Sequence, residues 1–205
     1  MMSFGLNTIA KQALNLALTG CVFYACFSLI SCGNNKQPNT ATAADSTVYY
    51  PINSFIRQQI KQVDTTPYYV YRVLVMNDKK DSSTISRAVF DSLAKQCMLP
   101  ELEENNLRKY FTESVYQDES TNSITLTYTP KDNNNMVQSA MVLLDPDTQN
   151  VKWVFINTLQ NGGDSTIIQK IGWKGGEKCY LNRSVTHADG KANNMQLNIV
   201  WNEQQ

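Results

Sequence analysis

Ser123-Ile124-Thr125-Leu126-Thr127-Tyr128-Thr129 alternates polar and apolar side chains without a break. A period of two marks a strand with one face in a core and the other against water. The same period holds from Tyr110 to the end of the chain. Lys131 to Asn135 is a polar hairpin loop, Val137 to Leu144 is a strand, and Asp145-Pro146-Asp147 turns the chain. Val151, Trp153 and Phe155 alternate on the return. Asn161-Gly162-Gly163 turns again ahead of Thr166 to Trp173, and Gly175-Gly176 makes a hairpin into Lys178 to Thr186. After a loose loop over Ala188 to Asn194, the residues Met195, Leu197, Ile199 and Trp201 fall on one face. About seven consecutive strands joined by short turns predict an antiparallel meander, because sequential strands tend to be spatial neighbours.

Upstream the period lengthens. Pro51 opens a helix, as a first-turn proline can, and Ile52, Phe55, Ile56, Ile60 and Val63 recur on one side of it. Tyr68 to Met76 reads as a strand with apolar groups on both faces, which predicts a place inside the sheet. Asn77 to Thr84 reads as a charged turn. Ser86 caps a second helix, and Ile85 and Phe90 have the spacing of a hydrophobic staple around that cap. Ile85, Val89, Phe90, Leu93 and Cys97 continue its apolar side, Leu99-Pro100 closes it, and Glu101 to Arg108 is a further short helical turn. The expected fold is α+β: an antiparallel meander sheet of about seven to eight strands, free to curve, with two helices packed on one face.

The first fifth of the chain has a different character. Residues 12–31 contain no charged side chain and follow Lys11. A basic start, an apolar middle and small residues at the end make a secretory signal peptide. Its end, Leu29-Ile30-Ser31-Cys32, resembles the lipobox of bacterial lipoproteins. That resemblance implies cleavage before Cys32 and a thioether-linked diacylglycerol, with palmitate-type chains, on its sulfur. Leu18-Thr19-Gly20-Cys21 also fits the pattern, but cleavage there would leave the apolar VFYACFSLIS at the mature start, whereas GNNKQPNTATAADST follows Cys32. An uncleaved membrane span is the competing reading, since about 20 apolar residues cross a bilayer. Gln12 and Asn15 dilute the run, and the cysteine with small residues at its end favours processing. Two acyl chains anchor a protein stably where one does not. The organisation expected is a lipoprotein signal peptide over residues 1–31, a flexible polar linker over 32–47 and one globular domain over 48–205. The Ser-Cys-Gly-Asn-Asn start and the domain behind it are similar to uncharacterised Bacteroidota lipoproteins. In such proteins acidic residues just after the cysteine often mark export to the outer surface. None occurs between Cys32 and Asp45, which implies a lipid-anchored place in the cell envelope, on the periplasmic face of the outer membrane.

Removing residues 1–31 removes Lys11 and no acid, so the mature chain carries 17 basic and 18 acidic residues. With no basic stripe to neutralise phosphates, nucleic acid is excluded as an expected partner. Of five cysteines, Cys21 and Cys26 leave with the signal and Cys32 is acylated. Cys97 and Cys179 remain, without the Cys-x-x-Cys spacing of a redox or zinc motif. An exported compartment permits a disulfide between them. Two buried free thiols are the equal alternative.

No arrangement declares a catalytic chemistry. His187 is the single histidine. Asp189 could orient it as a base, but no motif supplies a nucleophile, and a turn residue at a strand end is the plainer reading. Asp145, Asp147 and Asn150 suggest a calcium loop yet lack the glycine and distal glutamate of an EF-hand, and Asp-Pro-Asp is ordinary turn chemistry. Glu101, Glu103, Glu104 and Glu113 form an acidic patch that reads as solvated surface. Tyr49, Tyr50, Tyr68, Tyr69 and Tyr71 cluster near the first helix and strand, as the half-wet margin of a core or a stacking groove. No catalytic residue, metal site or cofactor is assigned. The function expected is a non-catalytic binding or assembly module held to the membrane by its anchor, with a protein partner or an apolar ligand. The alternative is a carrier of a lipid or other apolar molecule in a half-barrel cavity.

Overall fold

The computed structural model describes residues 49–202. The segments expected as a signal peptide (1–31) and a linker (32–47), Cys32 included, lie outside the described residues. Nine strands form a single antiparallel sheet in the order β2-β1-β9-β8-β7-β6-β5-β4-β3, so β2 and β3 are free edges. The strands are β1 (Val70–Met76), β2 (Lys79–Ile85), β3 (Phe111–Asp118), β4 (Ser123–Pro130), β5 (Val137–Leu144), β6 (Val151–Gly162), β7 (Ser165–Lys174), β8 (Lys178–His187) and β9 (Ala192–Val200). The helices are α1 (Ile52–Thr65), α2 (Arg87–Ala94) and α3 (Glu104–Tyr110), with 3-10 turns at Lys95–Cys97 and Pro100–Leu102 between the last two. The α+β class and the seven-strand meander from β3 to β9 agree with the sequence pattern. Two counts do not: the described residues form nine strands rather than seven to eight, and three helices rather than two.

The extra strand is β2, which the sequence reads as a charged turn. Asn77 and Asp78 alone make the turn, at φ 44° and 69°, the double left-handed geometry of a two-residue hairpin. Lys79 to Ile85 then pairs back along β1. Its charges suit an edge, where they discourage further strand addition. Arg72 of β1 reaches across to Asp81 and to the Ser83 hydroxyl. As expected, β1 is internal, with β9 on its other side. The loop expected over Ala188 to Asn194 is shorter than read, because β9 already starts at Ala192.

Directly opposed residues of an antiparallel sheet share a face. One face collects Val142, Val154, Trp173, Cys179 and Ile199 in one cross-strand row. The next row holds Ala140, Ile156, Ile171, Leu181 and Leu197. All ten are buried. Against this face α1 lays Ile52, Ile56, Ile60 and Val63, no more than 5% exposed. Spacings of four, four and three keep them on one stripe of a 3.6-residue helix. Ser86 accepts a hydrogen bond from the Val89 N–H at 3.4 Å, capping α2 as expected. Val89 itself is exposed, and the buried stripe of this segment is Phe90, Ala94 and Cys97. Asn53, buried on α1, donates to the Leu99 carbonyl at 2.7 Å and to Glu103 Oε1 at 3.0 Å, tying α1 to the α2–α3 connection.

Candidate functional site

The other sheet face has no helix of the described core packed on it, yet it is not polar. Its first cross-strand row reads Leu143, Trp153, Lys174, Lys178, Val200, Tyr71. The second reads Met141, Phe155, Gly172, Tyr180, Asn198, Val73. The third reads Ser139, Asn157, Lys170, Asn182, Gln196, Val75 and ends on Lys80 of the edge strand. Trp153 and Phe155 stack at 5.1 Å between ring centroids with 12° between planes, and Tyr180 stands 6.5 Å from Trp153. The Tyr180 ring lies over Gly172, where any Cβ would sit 2.1 Å from Cε1. Partial burial there raises the pKa of the Tyr180 hydroxyl. Trp153, Phe155, Met141 and Leu143 are half-buried, and Tyr71 is 45% exposed.

Trp153 and Phe155 do share a face, but the side of β6 that meets the helices is the other one, Val154 and Ile156. Val151 leaves the expected alternation, since a bulge pairs it with buried Leu144 and it packs against the core. Both phases of this strand are apolar, and a one-residue change of register exchanges its faces. Within the strand's own residues nothing chooses between them.

The residues singled out in the sequence are scattered. Cys97 and Cys179 are both buried free thiols. Burial, and then the neighbouring Cys97 thiol, push the Cys179 pKa up, so the thiolate is disfavoured at neutral pH. His187 is exposed, and its Nε2 lies 3.2 Å from Asn193 Nδ2. Asp189 does not orient it. Its Oδ1 accepts the Lys191 N–H at 3.0 Å and its Oδ2 pairs with the Lys191 ammonium at 3.0 Å. Asp145 is engaged by its own turn: Oδ1 accepts the Thr148 N–H and hydroxyl at 3.0 Å each. Those bonds hold its carboxyl below the usual range. Among the described residues no three His, Cys, Asp or Glu side chains gather as a metal site.

The acidic patch divides into separate structural tasks. Glu103 takes Asn53 and, at 3.2 Å, Arg57, while Glu104 faces Arg108 at 3.8 Å. Glu101 lines a surface cleft with Lys109 and Lys131. Glu113 is the side-chain partner of the buried Tyr128, whose hydroxyl accepts the Tyr50 N–H at 2.9 Å. The tyrosines divide too: Tyr49 packs on Tyr128 at 5.7 Å, Tyr69 is 90% exposed, and Tyr71 belongs to the open sheet face. What the described residues concentrate is thus an aromatic and aliphatic band on the sheet face that none of the described helices covers. No helix among the described residues is long and apolar enough to cross a membrane. Comparison of the chain with family models, curated proteins and solved structures finds no match.

Proposed function

We propose that this is an exported lipoprotein, held to the membrane through Cys32, whose domain works by binding through its open sheet face. The observation that carries the reading is the Trp153–Phe155–Tyr180 cluster with Met141 and Leu143 beside it. Side chains of this size on a face without a covering helix among the described residues form the kind of patch that marks an interaction site. The carrier reading is weaker, because the space between helices and sheet is filled by fully buried Trp173, Tyr128, Phe90 and Ile156. The test is complementation of a strain lacking the gene. Phe155→Asp is expected to abolish complementation with a thermal midpoint close to that of the parent, since the side chain stands outside the core. His187→Ala is expected to complement fully. Loss of function in His187→Ala at unchanged stability would reopen catalysis. Cys32→Ala is expected to release the domain from membranes; retention through salt and carbonate washes would remove the tether.

The export compartment in this proposal is oxidising. Cys97 and Cys179, free thiols in the structure, are neighbours in the same core, so their oxidation to a disulfide in that compartment belongs to the proposal. A loop of this length corresponds to about 4.5 kcal/mol in the chain-entropy treatment. Non-reducing peptide mapping of the protein taken from its own envelope is expected to yield the joined peptides. Two separate alkylated peptides would remove the crosslink and leave a thiol pair.

A further inference from the structure

We infer that the open sheet face lies on an anionic phospholipid surface. The inference deepens the proposed function by naming the partner of that face, and it rests on that reading. Three observations favour lipid over other occupants. The first is charge. The three cross-strand rows of the open face contain Lys80, Lys170, Lys174 and Lys178 and no Asp or Glu. Glu177, in the β7–β8 turn, pairs with Lys174 at 2.6 Å. Lys80 and Lys170 extend into solvent. The carboxylates nearest these rows are Glu177, taken up by Lys174, and Asp118 at the far end of β3, held in its own turn by Ser120. Near an anionic membrane each lysine strengthens association about fivefold.

The second is side-chain type. Trp153 and Tyr180 have apolar bodies with one polar edge, the residues that sit at the headgroup level of bilayers. Lysine stems flank them and let the charge reach phosphate while methylenes stay apolar. The third is the argument against a second copy of the chain. Two open faces stacked across a two-fold axis would bring the central lysines of β7 and β8 against one another, and like charges across an interface are repelled. A tether adds the last element. It holds the domain at an effective concentration in the millimolar range near the bilayer, so a face of modest intrinsic affinity is enough.

The chain offers its own reporter. Of its three tryptophans, Trp173 and Trp201 are buried in the core and Trp153 alone is on the open face. The protein purified from its membranes is reconstituted in phosphatidylcholine vesicles with or without phosphatidylglycerol, the acyl chains brominated near their carbonyl ends. With phosphatidylglycerol, the part of the emission that Trp153→Phe removes is expected to be quenched at least twofold. Quenching should fade in high salt and in Lys80→Glu/Lys170→Glu. Unquenched Trp153 in anionic vesicles overturns the inference. So does quenching indifferent to lipid charge and salt, a dimer in sedimentation that Phe155→Asp dissociates, or protection of Trp153 by a soluble glycan. The two levels fail separately. If Phe155→Asp loses complementation while Trp153 is unquenched, the binding face stands and the lipid partner falls. If Phe155→Asp complements fully, the binding reading itself falls.

Discussion

Trp173→Ala is expected to remove about 3–5 kcal/mol of stability, the range for deleting a large buried aromatic. Out of a total of about 5–15 kcal/mol for a domain, that is about a third or more of the stability at the middle of the range and nearly all of it at the low end. Trp173 is fully buried on β7, at the centre of the helix-covered face. Its ring meets Trp201 at 5.5 Å, and Trp201 meets Phe90 of α2 at 5.5 Å. This file of rings ties the middle of the sheet to the end of β9 and to the second helix. The loss is almost wholly apolar, because the Trp173 indole N–H has no hydrogen-bond partner among the described residues. Trp173→Phe should therefore cost far less than Trp173→Ala, since it keeps a ring in place and removes an unsatisfied donor. Urea unfolding decides. With a slope of about 2 kcal/mol per molar, the alanine variant should move its midpoint down by about 1.5–2.5 M. Equal shifts for both variants would mean that the indole N–H contributes and the packing account is wrong.

The same ring shows how far the sequence could be read. Trp201, Ile199 and Leu197 have one unambiguous apolar phase, and β9 buries that phase. Ile124, Leu126 and Tyr128 behave alike, with Tyr128 fully buried. Helix α1 was legible because its polar side holds Gln58, Lys61 and Gln62 and leaves one stripe for the core. Two kinds of element resisted. Strand β2 is polar throughout, and its existence depends on the edge of β1 rather than on any preference of its own; only the left-handed tolerance of Asn77-Asp78 signals the turn before it. Strand β6 has the opposite fault, two apolar phases, so its inner face is decided by neighbours on both sides. The candidate site was invisible for that reason. Leu143, Trp153, Tyr180 and Tyr71 lie far apart in the chain and come together only once the sheet order is known. The cysteines show the converse case, where helical spacing after Leu93 and strand parity with Leu181 lead each thiol to the same core.

Gly175→Ala is expected to cost about 1–3 kcal/mol, toward the upper end, through overpacking against a backbone that cannot step aside. Gly175 begins the turn between β7 and β8, and its N–H donates to the Lys152 carbonyl at 3.2 Å. A Cβ there would stand 2.2 Å from the Val151 carbonyl oxygen. Relief would require the two hairpin turns to separate. Their separation would disturb more than the turn. The next residue, Gly176, donates its N–H to Gln59 of α1 at 2.6 Å and accepts from Asn202 at 3.2 Å. The Trp201 N–H donates to the Glu177 carbonyl at 3.0 Å in the same turn. Helix α1, the β5–β6 connection and the end of β9 are therefore all referenced to these two glycines. Two other glycines separate packing from backbone strain. Gly163 sits at φ 53° with nothing within 4 Å of where a Cβ would stand, so alanine there bears only the left-handed penalty. At Gly172 the obstacle is the tip of the Tyr180 ring on the open face, which can swing outward. A loss of about 1–3 kcal/mol lowers the melting temperature of a domain this size by roughly 2–12 °C. The expected order is Gly175→Ala below Gly163→Ala. Gly172→Ala should instead alter the environment of Tyr180 and Trp153, seen as a change in Trp153 emission. A Gly175→Ala protein that melts with or above Gly163→Ala would show that the turns are not in contact as described.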